Sequence, residues 1–505
     1  MFPDDEYNRQ LLANVHPPGW INPEPRGRYH LVIIGAGTAG LVTAAIASAL
    51  GAKVALIERH LMGGDCLNVG CVPSKALLRA ARAWAEIGRA EAFGAASLAG
   101  VKHDFGAVMA RMRQLRAQIS PNDSAKRFTE KGVDVFIGEG RFVAPDAVEV
   151  DGRRLSFSKG VLCTGAHAVL PPIPGLAEAG ILTNETVFSL TELPQRMAVL
   201  GAGPIGCELA QAFARFGSRV TLFEKQRQLL PREEADAARI LLARMEREGV
   251  TVRFQADLLR AEGQGGEKVL HYRAAGEEKR WVGDAILAAA GRRPNVDRLG
   301  LEGAGIAYDT EQGVQVNDRL QTTHPKIFAA GDVCSPQRFT HAADAMAQIV
   351  VQNALFPHPF GLGYAGTGSL IIPWCTYTDP EVAHVGLYEA EAEAKGIEVE
   401  SHTVSLREVD RAILDGEEEG FARVHLKKGT DRILGATVVA SHAGDLISQF
   451  ALAMTAGIGL GKIARTIYPY PTQAEVIKKV AVAWRKGALT GGKKKILRRW
   501  FDWNR

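Results

Sequence analysis

An α/β chain with two Rossmann-like nucleotide-binding domains and a third, smaller α+β domain is what three features of these 505 residues predict. A short apolar run followed by Gly-x-Gly-x-x-Gly occurs twice. Each copy leads through a small-residue helical pattern to a second strand that closes on glutamate. Beyond about residue 365 the texture changes to alternating apolar and polar residues, as in antiparallel strands. A chain of this length exceeds what one hydrophobic core organises, so several domains are expected.

Residues 1–28 are read as an N-terminal extension. Its start, MFPDDEYNRQLLANVHPPGW, is acidic and proline-bearing and has no secretory apolar stretch. HLVIIGAGTAGLVTAAIASALGAKVALIE then supplies the first fingerprint. Gly35 permits a tight turn, Gly37 lets a pyrophosphate approach the backbone, and Gly40 lets helix and strand pack closely. Glu58 at the end of the next strand is placed to hold ribose hydroxyls. MAVLGAGPIGCELAQAFARFGSRVTLFEKQ repeats the design with Gly201, Gly203, Gly206 and Glu224, and both glutamates stand 23 positions after their first glycine. Two complete fingerprints at one internal spacing imply two dinucleotide sites.

Three further runs, LCTGA (162–166), AAGRRPN (289–295) and IFAAGDV (327–333), each close on a small-residue turn, as where a chain crosses between domains beside a bound cofactor. They place Thr164, Gly165 and Gly291 near the cofactors. Asp332 is suited either to accept from a ribityl hydroxyl or to cap its turn. LIIPWCTYTDPEVAHVGL, HTVSLREVDRAI, FARVHLKK and ILGATVVA read as antiparallel strands, followed by a helical ISQFALAMTAG. The boundaries expected are 29–172 with 296–365 for the first nucleotide domain, 173–295 for the second, 366–485 for the third, and 486–505 for a basic-aromatic tail.

Charge and cysteine usage narrow the function. The net charge is +4, yet Arg485–Arg505 holds eight Lys/Arg against one acid, so the remainder is slightly negative and nucleic acid is not an expected partner. Trp500, Phe501 and Trp503 beside Arg498, Arg499 and Lys493–Lys495 suit anionic headgroups, and peripheral membrane contact through this tail is one expectation. Six cysteines in 505 residues fit a reducing compartment, the cytoplasm. Two of them, Cys66 and Cys71 in GGDCLNVGCVPSK, are close enough to be redox-active, and Lys75 follows Cys71 by one helical turn. No metal-ligand spacing is recognised.

GGDCLNVGCVPSK, the paired GAGTAG and GAGPIGCE motifs, IFAAGDV and the C-terminal domain resemble the class I pyridine nucleotide–disulfide oxidoreductases, from about residue 30 to 485. This is the group of dihydrolipoamide dehydrogenase, glutathione reductase and mercuric reductase. TGAHAVLPPIPGL, ELAQAFARFGS and PYPTQAE look most like the last. The resemblance implies an FAD-bound homodimer with the C-terminal domains at the interface, and NADH or NADPH as donor. Glu224 would repel a 2′-phosphate and favour NADH, against Lys225 and Arg227 nearby. It further implies Cys71 as the flavin-facing thiol, Cys66 as the interchange thiol, Glu208 as the partner of Lys75, and Ala343 among the cofactor-facing residues.

Two departures bear on the substrate. Where disulfide reductases of the group carry a His-Pro-Thr-x-x-Glu stretch, this chain reads Tyr470-Pro471-Thr472-Gln473-Ala474-Glu475, with tyrosine in place of the base. Mercuric reductases share that tyrosine but also have a vicinal cysteine pair near the C-terminus, where this chain reads GGKKKILRRWFDWNR. The expected activity is hydride transfer from NAD(P)H through flavin to the Cys66–Cys71 pair and on to a small oxidant, such as a thiophilic metal ion. A conventional low-molecular-weight disulfide reductase, or a redox-sensing or electron-delivery flavoprotein, are the alternatives. Tyr470 and Glu475 would stand at the substrate side.

Overall fold

The computed structural model describes residues 1–95, 104–264, 266–487 and 491–505, which form two compact units: Met1–Arg227 with Glu248–Leu370, and Gln228–Arg247 with Ile371–Arg505.

Both nucleotide-binding sheets lie in the first unit. In the first sheet the parallel strands Asp134–Ile137, Val54–Glu58, Tyr29–Ile34, Arg153–Leu162 and Ile327–Ala329 are neighbours in that order. The outer half of Arg153–Leu162 continues into an antiparallel pairing with Ala147–Val150. Near-continuous apolar runs such as LVII are what a parallel sheet covered on both faces requires. Leu31, Ile33 and Leu56 are fully buried in one core with Ala39, Ala44 and Ala47 of the helix Thr38–Ala49 and with Ala343, Met346 and Val350 of the helix Thr340–Leu355. Each such leucine or isoleucine contributes roughly 1.5–3 kcal/mol.

The second sheet repeats the pattern on a smaller scale, with parallel strands Thr251–Arg253, Arg219–Phe223, Arg196–Leu200 and Ala285–Ala288. A three-stranded meander, Asp257–Gln264, Glu267–Ala274 and Glu277–Gly283, is inserted before its last strand.

The N-terminal extension is structured. Asp5 accepts from the Asn8 N–H at 2.8 Å and caps the helix Glu6–Val15, whose Leu11 and Val15 enter the first core. The Val15 carbonyl accepts from the Met62 N–H at 3.1 Å, just ahead of the cysteine motif.

In the second unit a five-stranded antiparallel sheet runs Pro373–Thr376, Glu381–Gly386, Ile433–Ala440, Phe421–Lys427, Val399–Ser405, with the helices Ala443–Thr455 and Glu475–Gly487 among its elements. HTVSLREVDRAI, expected as strand throughout, is strand only to Ser405. A 3₁₀ turn at Leu406–Glu408 and the helix Asp410–Leu414 follow, because Ser405 accepts from the Arg407 N–H and starts the turn.

The helix Ala235–Arg247, which the sequence assigned to the second nucleotide domain, belongs to this unit. Polar pairs fasten its start there: Arg423 donates to Glu234 at 2.9 Å, Thr437 to Glu234 at 2.8 Å, and Tyr388 and Trp374 to Glu233 at 2.6 and 2.8 Å. Among the described residues no helix is long and apolar enough to cross a membrane.

Candidate functional site

Gly63 and Gly64, with φ of +88° and +56°, turn the chain into the short helix Gly64–Asn68 that carries Cys66. A Cβ on Gly64 would stand 2.7 Å from the Cα of Gly37, so the cysteine loop and the first glycine-rich turn pack backbone to backbone. Cys71 opens the long helix Cys71–Gly88, and its sulfur lies 3.4 Å from the Thr340 hydroxyl.

The two cysteines are free thiols, Cys66 half-buried and Cys71 exposed. Their acidities are split. A hydrogen bond from Cys66, then one from Thr340 and the charge of Lys75, outweigh burial and lower the Cys71 pKa to about 6. The same contact, with burial, pushes Cys66 up. One proton therefore sits on Cys66 at neutral pH while Cys71 is mainly thiolate, the nucleophilic and reducing form.

Lys75 reaches Glu208 at 2.8 Å, tying the cysteine helix to the helix Pro204–Arg215 behind the second fingerprint. Glu208 is buried, and its carboxylate needs that cation.

The two glycine fingerprints are near copies. Gly35 and Gly201 both have φ of +103°, a conformation that a side chain resists. A Cβ on Gly40 would lie 1.8 Å from the Gly35 carbonyl oxygen, and one on Gly206 1.9 Å from that of Gly201. These glycines set strand–helix packing. Gly37 and Gly203 are the N-caps of their helices, and neither helix is capped by a side chain, so first-turn N–H groups remain for a phosphate. Glu58 accepts from Ala36 and His60 N–H groups at 2.8 Å each, and Glu224 from Ala202 and Gln226 at 2.7 and 2.8 Å. Each buried carboxylate oxygen keeps a lone pair for a ribose hydroxyl. Burial moves the Glu58 pKa upward against those N–H bonds. Both cradles fit a dinucleotide.

Thr164 donates to the Asn295 carbonyl at 2.7 Å, Asn295 returns a bond to the Thr164 carbonyl at 2.8 Å, and the Asn295 N–H donates to Gly165. This interlock joins the two expected crossover runs. Gly165 and Gly291 have positive φ and open space where a Cβ would be. Asp332 lies 3.8 Å from Arg292, and burial raises its pKa against that cation. Ala343 is buried, and its Cβ is 3.4 Å from where one on Gly331 would stand, which keeps the helix Thr340–Leu355 close to that turn.

Tyr470 and Glu475 belong to the second unit. The Tyr470 side chain is 70% exposed, and its hydroxyl donates to Asp410 at 2.9 Å, which raises the hydroxyl pKa. Glu475 begins the helix Glu475–Gly487, with one buried oxygen lacking a hydrogen-bond partner among the described residues.

Four residues of the first unit escaped sequence reading. Thr340 reaches Cys71 from 269 positions away. Arg292 pairs with Asp65 of the short helix Gly64–Asn68 and donates to the Ala166 carbonyl at 2.6 Å; the Arg-Arg after Gly291 was its only signal. Buried Arg116 donates to the Asn68 carbonyl at 2.6 Å and to the Asn8 side chain at 2.7 Å, and Asn68 donates to the Gly64 carbonyl at 2.8 Å. The N-terminal helix thus supports the loop of Cys66. Among the described residues no group of three or more His, Cys, Asp or Glu is arranged to hold a metal ion.

Comparison with known proteins agrees with this geometry. The pyridine nucleotide-disulphide oxidoreductase family model matches residues 29–348, and the dimerisation domain of the same family matches 372–481. A mercuric reductase of Staphylococcus aureus is 33% identical over 466 residues, covering 91% of this chain and 83% of that protein. A dihydrolipoyl dehydrogenase of Geobacillus stearothermophilus is 32% identical over 462 residues, covering 89% and 95%. The HOCl-induced flavoprotein disulfide reductase RclA from Escherichia coli superposes with a TM-score of 0.78 at 28% identity, covering 90% of this chain and 99% of that one, and it has also been solved as a Cu(II) complex. With both fingerprints, the cysteine pair and the C-terminal sheet inside the matched region, the chain belongs to the pyridine nucleotide-disulphide oxidoreductases and is an FAD- and NAD(P)H-dependent, dimeric flavoprotein oxidoreductase.

Proposed function

We propose that the enzyme uses NAD(P)H to reduce a soft, thiol-seeking metal ion at the Cys66–Cys71 pair, with Cu(II) and Hg(II) as the candidate class. FAD held at the first fingerprint, when bound, carries electrons from the nicotinamide at the second fingerprint to the cysteines. The observation behind the choice of oxidant is Tyr470, a hydroxyl already donating to Asp410 where a disulfide reductase needs a proton acceptor.

The protein's own chemistry favours this reading. Cys66 holds a tightly bound proton, so attack on a substrate disulfide needs a base to remove it and an acid for the departing thiolate. An exposed tyrosine with a raised pKa supplies no base. A soft cation displaces the thiol proton directly when it binds, because metal–thiolate bonding and proton release are coupled. Cys71 is already the thiolate that captures it. One NAD(P)H then reduces two Cu(II) to two Cu(I), or one Hg(II) to Hg(0), releasing NAD(P)⁺ and one proton. Relatives named mercuric reductase and the Cu(II) complex of RclA support the same class of oxidant. NADH is the favoured donor because buried Glu224 opposes a 2′-phosphate. In this reading Tyr470 takes the substrate-side position that the family's histidine holds.

Steady-state NAD(P)H consumption with Cu(II), Hg(II)–thiol complexes, oxidised glutathione and lipoamide tests this. Metal turnover should exceed disulfide turnover by roughly a hundredfold, the usual worth of an absent acid–base group. Tyr470→His should raise the disulfide rate. Wild-type disulfide turnover equal to that of an ordinary glutathione reductase overturns the proposal.

A further inference from the structure

The chain ends in the helix Gly491–Trp503, whose pattern the cofactor and cysteine chemistry does not use. Ile496, Leu497, Trp500, Phe501 and Trp503 occupy positions i, i+1, i+4, i+5 and i+7, one continuous side of a helix with 3.6 residues per turn. Every one of them is exposed, from 41% at Leu497 to 82% at Trp503. Lys494, Lys495, Arg498 and Arg499 take the opposite side, with Asp502 as the lone acid there. Residues 488–490 and the Lys493 side chain lie outside the described residues.

An isolated helix of this length is marginal in water, and its stability comes from covering an apolar face. Charge decides what covers this one. Residues 491–505 hold six Lys/Arg against one Asp. Two copies apposed through their apolar sides would bring cations together with almost no counter-charge between them. An anionic lipid surface satisfies both faces at once: tryptophan and aliphatic side chains enter the acyl boundary while the flanking cations meet phosphate groups. At ~20 Å the helix is too short to span a bilayer and suits an in-plane position.

We propose that the helix Gly491–Trp503 docks the enzyme peripherally on anionic membrane surfaces, lying in the interface with Ile496, Trp500 and Trp503 inserted. Docking is independent of the identity of the oxidant.

The full-length holoenzyme is co-sedimented with vesicles of phosphatidylcholine alone, or with about one third phosphatidylglycerol. Partition should be at least tenfold stronger on the anionic vesicles and weaken steeply with salt, roughly as expected for several cations at a charged surface. Deletion of 491–505 should abolish it. Ile496→Ser, Trp500→Ser and Trp503→Ser together should abolish it at unchanged charge, and Lys494→Gln, Lys495→Gln, Arg498→Gln and Arg499→Gln together should weaken it about tenfold or more. Flavin absorbance verifies each variant's fold, and the charge set and the deletion stand as separate routes if the serine set misfolds. Wild type that stays in the supernatant, or a deletion variant that binds equally, overturns the proposal. So does a particle mass that falls on deletion without any vesicle binding, since a second copy then covers the face.

Discussion

The two nucleotide cradles share one local design and differ in what surrounds them. Turn angle, glycine packing and glutamate bonding are nearly superimposable at Gly35 and Gly201, yet around the helix start they diverge. At the first, a Cβ on Gly37 would lie 3.8 Å from the Cα of Gly64, the Gly63 N–H donates to the Ala36 carbonyl, and Ala39 is 5% exposed. At the second, nothing stands within 4 Å of a Cβ on Gly203, and Ile205, the counterpart of Ala39, is 39% exposed. A dinucleotide hemmed in by backbone is expected to leave more slowly than one bound at an open turn.

The largest effect expected from this contrast comes from one substitution made at both sites. Gly40→Ala and Gly206→Ala each force a Cβ onto a carbonyl oxygen less than 2 Å away. Gly40→Ala should yield protein without bound flavin. Gly206→Ala should stay yellow and accept electrons from dithionite, while reduction by NADH slows by about a hundredfold or more. Flavin loss from both variants, or from neither, breaks the comparison.

Next in size is the state of the cysteines beside the enclosed site. A thiolate at Cys71 should give reduced enzyme a long-wavelength absorbance with bound flavin. The charged form lies above the pKa, so the band should persist at neutral pH and fade as pH drops through about 6. Cys71→Ser should abolish the band and Cys66→Ser should keep it. Cys66→Ala should move the midpoint upward, since the Cys66 hydrogen bond is the largest cause of the low value. A midpoint unmoved in Cys66→Ala would assign the effect to Thr340 and Lys75.

The smallest effect sharpens the glutamate pair. Glu224→Ala should narrow the NADH preference by up to about tenfold, one lost hydroxyl contact and one removed repulsion. Glu58→Ala should hasten flavin release in dialysis and leave the NADH/NADPH ratio unchanged. A wild-type preference for NADPH would show that exposed Lys225 and Arg227 outweigh the buried carboxylate.

Much of this molecule is local chemistry and therefore legible in order along the chain. Gly-x-Gly-x-x-Gly specifies its turn because the glycine carbonyl and the glycine that packs on it are five residues apart. A lysine four residues after Cys71 lies on the same helical face, and the antiparallel domain follows from period-two alternation. Sequence alone thereby determined the two glycine-rich turns, the close cysteine pair, the cofactor class and the family. Tertiary structure decided that the Thr340 hydroxyl reaches the Cys71 sulfur, because the two are 269 positions apart. It also decided that Asp410, 60 residues away, takes the Tyr470 hydroxyl, and that Ala235–Arg247 joins the C-terminal unit through Glu233 and Glu234. These outcomes depend on which distant polar groups are left together once the apolar faces are buried, where an unpaired buried charge is costly, and no spacing along the chain encodes that.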